Sequence, residues 1–316
     1  MKILIYGAGV IGCTYGQQLL EAGCEVTVIV KPERKRHTEQ NGIHINCSDF
    51  RSGKEQTEDI IFKPKVTDTL SADNDFEYII VSTNSLHLDQ ILPVLKESAG
   101  KAHILFFQNL WLDDFDKIAK YLTSSQYFFG FPFMAGGGRK NSDIHSVISG
   151  SKYSKTMLGE ANGQVSTRVQ QIASVLEKAN MKPFISEQIK TWLIPHYIFI
   201  ACMSCGVMKA KGSMKTFTQS SSLMKEMIHA IREGFSICQQ EGYDPHMEKV
   251  NRLYYMPLFI TIPIVRKIFS DKSMSMMFDN YLEHSADEIE QMIKNITISG
   301  KKFDVQLPYL KRILTI

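Results

Sequence analysis

Three glycines near the start of the chain carry the first chemistry. Gly7, Gly9 and Gly12 stand in the spacing G-x-G-x-x-G. An apolar run, Ile3, Leu4 and Ile5, precedes them, and a helix-like run over residues 10–22 follows. That strand–turn–helix setting turns a three-glycine pattern into a dinucleotide-binding signal. The first glycine permits a tight turn, the second lets the backbone approach a pyrophosphate, and the third lets helix and strand pack closely. Ala8, Val10 and Ile11 lie between the glycines and belong to the same expected cradle, because a helix N-terminus favours an anion. The alternative is a glycine turn in some other α/β unit.

An acidic residue about 20 positions beyond the glycines would bind an adenosine ribose hydroxyl. It is absent. Lys31 follows the strand-like run Glu25–Val30, and Glu33, Arg34, Lys35 and Arg36 come next. A lysine there, backed by arginines, suits a 2′-phosphate and gives an expectation of NADP(H). A solvated basic loop is the plain reading of the same residues.

Further along, His196 follows Pro195 inside an apolar, helix-like stretch. An imidazolium with a pKa near ~6.5 can donate a proton at neutral pH; a buried neutral histidine is the alternative. Glu288 sits on an amphipathic stretch beside Asp287 and Glu290, either as a substrate or His-orienting group or as part of a solvated acidic face. Arg139, in the glycine-rich run Gly136–Gly138 and onward, has the fork that suits a carboxylate, or is a surface arginine. Cys202 and Cys205 form a CxxC without a second pair, which reads as two buried thiols one helical turn apart; no metal site is expected.

The elements that must position these residues change character along the chain. Strand signals at Ile3–Ile5, Glu25–Val30, Tyr78–Val81, Ile104–Phe107 and Tyr127–Phe129 alternate with helical ones at Val10–Ala22, Leu86–Glu97 and Asp113–Leu122. Such alternation implies a parallel sheet wrapped by helices. Residues between Lys31 and Tyr78 read as irregular, and 144–158 as short strands. From Gln188 on, helical periodicity dominates. The expectation is an α/β chain with an N-terminal Rossmann-type parallel-sheet domain over 1–187 and an all-α domain over 188–316.

The bulk numbers narrow the partners. The 316 residues suffice for about two domains, and 44% apolar against 22% charged residues describes a globular chain. Lys+Arg 36 against Asp+Glu 33 leaves +3, too little to argue for nucleic acid or an acidic membrane. The apolar stretches Trp192–Met208 and Tyr254–Val265 fall short of the ~20 clean residues a span needs and read as core. No signal peptide is expected ahead of the first strand, and scattered cysteines fit a reducing cytoplasm.

The residues then converge on a family. GAGVIGCTYGQQLLEAGCEVTVIVK with the basic segment and NGIHI (41–45), VSTN (81–84), ILFFQN (104–109), the stretch 130–160 and the C-terminal run 287–310 resemble ketopantoate reductases (2-dehydropantoate 2-reductases) in order and spacing. The resemblance covers nearly the whole chain. It implies NADPH-dependent reduction of a 2-oxo acid, with a lysine of the helical domain as proton donor, a glutamate holding substrate and an asparagine between cofactor and substrate. Asn109 falls on that asparagine and Glu288 on that glutamate, and both are expected at the substrate. The lysine position holds His196, which is expected to replace it. The asparagines four and eight residues on become Ile200 and Ser204, and Ser204 is expected to face substrate. Asn84 stands where the family places a cofactor-contacting lysine, and Gly136 joins the cofactor set. An Asn-Gly pair after Glu288 is missing, with Ile293 and Lys294 in its place. The cofactor half is kept and the substrate half rewritten. The expected partner is a small carbonyl compound, with a homodimer left open. The rival expectation is an NADP(H)-binding sensor or partner protein without catalysis.

Overall fold

A computed structural model describes residues 1–314. The chain divides into two compact units, Met1–Ile189 and Lys190–Ile316.

The first unit opens with strand β1 (Lys2–Tyr6), helix α1 (Val10–Glu21) and β2 (Glu25–Ile29). It continues through α2 (Pro32–Asn41), β3 (Ile43–Asp49), β4 (Gln56–Phe62), β5 (Lys65–Thr67) and β6 (Tyr78–Val81). After these come α3 (Leu88–Ser98), β7 (His103–Phe106), α4 (Leu112–Tyr121) and β8 (Tyr127–Pro132). The unit closes with β9 (Ala135–Lys140), β10 (Asp143–Ile148), β11 (Thr156–Gly159), α5 (Thr167–Lys178) and β12 (Pro183–Ile185).

Eight strands form one sheet in the order β12-β11-β8-β7-β6-β1-β2-β5. The pairs from β5 to β8 are all parallel, while β11 runs antiparallel to β8 and parallel to β12. The interiors of the central strands are apolar, and Ile3, Leu4, Ile5, Ile79, Ile80 and Val81 have no exposed surface. That is the mark of a parallel sheet covered on both faces. β1 lies between β2 and β6, which reverses the strand order beside the glycine turn. Ligands of open α/β sheets bind at such a reversal.

A second sheet, β4-β3-β10-β9, was not expected. Its strand β3 alternates Ile43, Ile45 and Cys47 with His44, Asn46 and Ser48, a period-two pattern that marks a half-covered strand. The segment read as irregular between Lys31 and Tyr78 therefore holds one helix and three strands, and the expected basic loop is helix α2. Pro32 at its first position and Glu33 in its first turn suit a helix start.

The second unit is helical: α6 (Ile189–Lys209), α7 (Met214–Gln219), α8 (Ser221–Gln240), α9 (Leu258–Phe269), α10 (Lys272–Leu282), α11 (Ala286–Lys302) and α12 (Pro308–Leu314). Helix α6 runs unbroken through Pro195. At 21 residues it meets the length and apolarity of a membrane span, contrary to the expectation that this stretch falls short; 83% of its apolar window is buried inside the protein. Cys202, Cys205 and Cys238 lie buried here as thiols, and burial pushes the Cys205 thiol up to about 12.

Candidate functional site

The glycine turn joins β1 to α1. Gly7 adopts φ +127, a conformation closed to most side chains. Its carbonyl accepts a hydrogen bond from Ser82 Oγ at 3.0 Å, which ties the turn to the end of β6. At Gly12 a Cβ would stand 2.1 Å from the Gly7 carbonyl oxygen and 2.4 Å from Ser82 Oγ, so helix, turn and β6 meet at a point that admits hydrogen alone. Gly9 is different. A Cβ there would meet nothing within 4 Å. The space above the middle glycine is open, as a cradle for a bound group requires. Gly9 is also the N-cap of α1 and offers no side-chain cap. The first helical amides, at Val10, Ile11 and Gly12, therefore have no intrahelical partner, which suits a phosphate.

Two loops border this turn, at the ends of β6 and β7. Asn84 caps the short 3-10 turn Ser85–His87, its Oδ1 accepting from the Leu86 amide at 2.9 Å. That bond uses one of the oxygen's two lone pairs and ties the side chain to the turn. Gln108, a residue the sequence did not single out, donates from Nε2 to the Thr83 carbonyl at 2.9 Å and to Thr83 Oγ1 at 3.2 Å. It locks the end of β7 to the end of β6. Its Oε1 is buried with no hydrogen-bond partner among the described residues. Asn109 follows, half-buried, with its Oδ1 out of solvent reach.

Lys31 is exposed at the N-cap of α2, directly after β2. Of the basic residues near it, Lys35 is committed to Asp68 at 2.9 Å. Lys31, Arg34 and Arg36 form no ion pair among the described residues. Gly136 lies in β9 opposite Val147 of β10. Three residues on, Arg139 donates from Nη2 to the Ala8 carbonyl at 2.7 Å. The expected carboxylate-binding or surface arginine thus belongs to the glycine turn. No sequence signal placed it there, because 131 residues separate the two.

In the helical unit, His196 stacks on Trp192 with ring centroids 4.4 Å apart and an interplanar angle of 19°, and Phe199 lies 5.7 Å away. Its Nε2 is shielded from solvent. Burial pulls the imidazole down to about 3. The ring is therefore neutral at pH 7, the second of the two states the sequence left open. Desolvation among apolar rings disfavours the charged form. Ser204, two turns along α6, has no exposed surface, and its hydroxyl finds no partner among the described residues.

Glu288 begins a polar stripe along α11, with Gln291 and Asn295 three and seven residues on. Gln291 Nε2 donates to Asn295 Oδ1 at 2.7 Å, and Asn295 Nδ2 to the Tyr197 hydroxyl at 2.9 Å. Burial first, and then the Glu288 charge, hold the hydroxyl of Tyr281 on α10 protonated well above the usual range. Two amides thus stand near Glu288 although the Asn-Gly pair is missing. Tyr197, Tyr281, Gln291 and Asn295 were not singled out in the sequence. The i, i+3, i+7 spacing on α11 was the available signal.

The parallel sheet, the strand-order reversal and the glycine turn define a Rossmann-type protein. The family model described as "Ketopantoate reductase PanE/ApbA" matches residues 3–163, and the chain belongs to this family of oxidoreductases. A 2-dehydropantoate 2-reductase of Streptococcus pyogenes is 22% identical over 321 residues, covering 99% of this chain and 95% of that protein. The uncharacterized oxidoreductase YkpB of Bacillus subtilis is 21% identical over 205 residues, covering 65% of this chain and 63% of that protein. Among solved structures, a 2-dehydropantoate 2-reductase from Geobacter metallireducens superposes with a TM-score of 0.78 at 13% identity, over 100% of this chain and 98% of that one. A D-mandelate dehydrogenase with NADH and anilino(oxo)acetate gives 0.77 at 18% identity, over 99% and 96%. At these identities the likeness to solved structures concerns the fold.

Proposed function

We propose that this protein is an NADPH-dependent reductase of a small 2-oxo acid or a related carbonyl compound. The observation that carries the reading is the glycine turn: Gly12 admits no side chain, and the space over Gly9 is open. Membership of the ketopantoate reductase family supports it. So does the D-mandelate dehydrogenase of similar fold, whose structure holds NADH and an oxo acid analogue together.

In this reading the first unit holds the cofactor. A bound nicotinamide would supply a hydride to the carbonyl carbon. The α1 amides and Gly9 hold the pyrophosphate, and Lys31 favours a 2′-phosphate by charge. Asn109 and Glu288 orient the substrate. His196 enters as a neutral, stacked ring.

The depressed pKa of His196 favours one second reading: a dinucleotide-binding protein that does not turn over. A single experiment separates the two. Purified protein with saturating NADPH is screened against 2-oxo acids, ketopantoate included, and other carbonyl compounds, following NADPH absorbance. Turnover on a carbonyl acid, with ketopantoate a poor substrate, is expected. NADPH binding without turnover on any compound would sustain the second reading.

A further inference from the structure

The glycine turn is built from neutral groups. Gly7, Ala8 and Gly9 form it, Ser82, Thr83 and Asn84 border it at the end of β6, and Gln108 and Asn109 border it at the end of β7. None carries a positive charge, yet a pyrophosphate brings two negative ones. Across the unit, β9 delivers the guanidinium of Arg139 to the Ala8 carbonyl at 2.7 Å. Arg139 is half-buried and forms no ion pair among the described residues. That bond occupies one of the five N–H donors of a guanidinium, and the others have no partner among the described residues.

A half-buried cation without a counter-ion is costly unless its charge has a use. The hairpin fixes this one in place. Gly137 has φ +138, and a Cβ there would lie 2.1 Å from the His145 carbonyl oxygen, so the strand carrying Arg139 packs tightly on β10. From these observations we infer that Arg139 is a cofactor-binding residue: its guanidinium supplies the positive charge for the pyrophosphate at the glycine turn, while its bond to Ala8 sets its position. The inference rests on the dinucleotide reading above.

The test uses the full chain and three probes: NADPH, ADP-ribose, and adenosine 2′-monophosphate, which has no pyrophosphate. Affinities are measured by titration calorimetry for wild type, Arg139→Gln and Arg139→Lys. Glutamine keeps a donor for Ala8 and removes the charge; lysine keeps the charge. Arg139→Gln is expected to lose about 10- to 100-fold in affinity for NADPH and ADP-ribose, the usual worth of a charge-assisted hydrogen bond. Its affinity for adenosine 2′-monophosphate and its Tm should stay near wild type. Arg139→Lys should recover part of the loss and show a steeper salt dependence than the glutamine variant. If Arg139→Gln binds NADPH and ADP-ribose as wild type does, the arginine only braces the turn and the inference falls. Equal losses on all three probes would also overturn it. If wild type binds neither NADPH nor ADP-ribose, it is the dinucleotide reading that has failed.

Discussion

The glycine turn of the first unit works with backbone atoms. Its amides, the φ of Gly7 and the missing side chain of Gly12 define what it can hold. The candidate residues of the helical unit work with side chains, and there burial decides. His196 lies among aromatic rings and loses its charge, Ser204 is sealed, and the Glu288 charge bears on the buried hydroxyl of Tyr281. A backbone device depends on local sequence and survives large changes elsewhere in a chain. A side-chain device depends on every neighbour packed around it. That difference fits a chain whose glycine motif is intact while His196 and Ser204 stand where the resemblance implies a lysine and an asparagine.

The largest effects should come from the turn itself. Gly12→Ala puts a methyl group against the Gly7 carbonyl oxygen and Ser82. Overpacking of this kind costs about 1–3 kcal/mol or more, so a lowered Tm and no measurable NADPH binding are expected. Gly9→Ala sharpens the point, because its methyl meets nothing in the protein. It should keep the wild-type Tm and still lose NADPH affinity by at least about 10-fold, the order of one lost charge-assisted hydrogen bond. A Gly9→Ala protein that binds NADPH as tightly as wild type would show that the open space is not the phosphate site.

Lys31→Ala should weaken NADPH by about 10-fold, of the order of one exposed-to-partly-desolvated charge contact, and leave NADH nearly unchanged. Equal losses for both cofactors would remove the 2′-phosphate assignment.

His196 tests the other side of the comparison. Its folded pKa lies near 3, below the ~6.5 of an unfolded histidine. Between those values the unfolded chain binds the proton and the folded chain does not. Stability should therefore fall as pH drops through that window, and be unaffected by this residue above it. His196→Gln should flatten that part of the Tm–pH curve. It should leave the pH profile of turnover between 6 and 9 in place. A loss of about 10²–10⁴-fold in kcat, the worth of a general acid, with unchanged Tm would instead return His196 to proton transfer.

The smallest effect is expected at Ser204. Its buried hydroxyl has no partner among the described residues, so Ser204→Ala removes a desolvated polar group at little packing cost. A Tm equal to or slightly above wild type, within about 1 kcal/mol in stability, and unchanged activity should follow. A large loss of activity would place the hydroxyl at the substrate.

The sequence by itself determined the glycine turn, the alternation of strands and helices, the helical second half and the family, because each is written in local periodicity or in ordered motifs. It did not disclose the second sheet, whose strands β3 and β10 lie about 100 residues apart yet pair in register, Ile45 with Ile144. Nor did it bring Arg139 to Ala8, or set Tyr281 against Glu288. Only the tertiary structure decided the charge of His196: the residue type allows either protonation state, and the rings packed around it, with the water they exclude, select the neutral one.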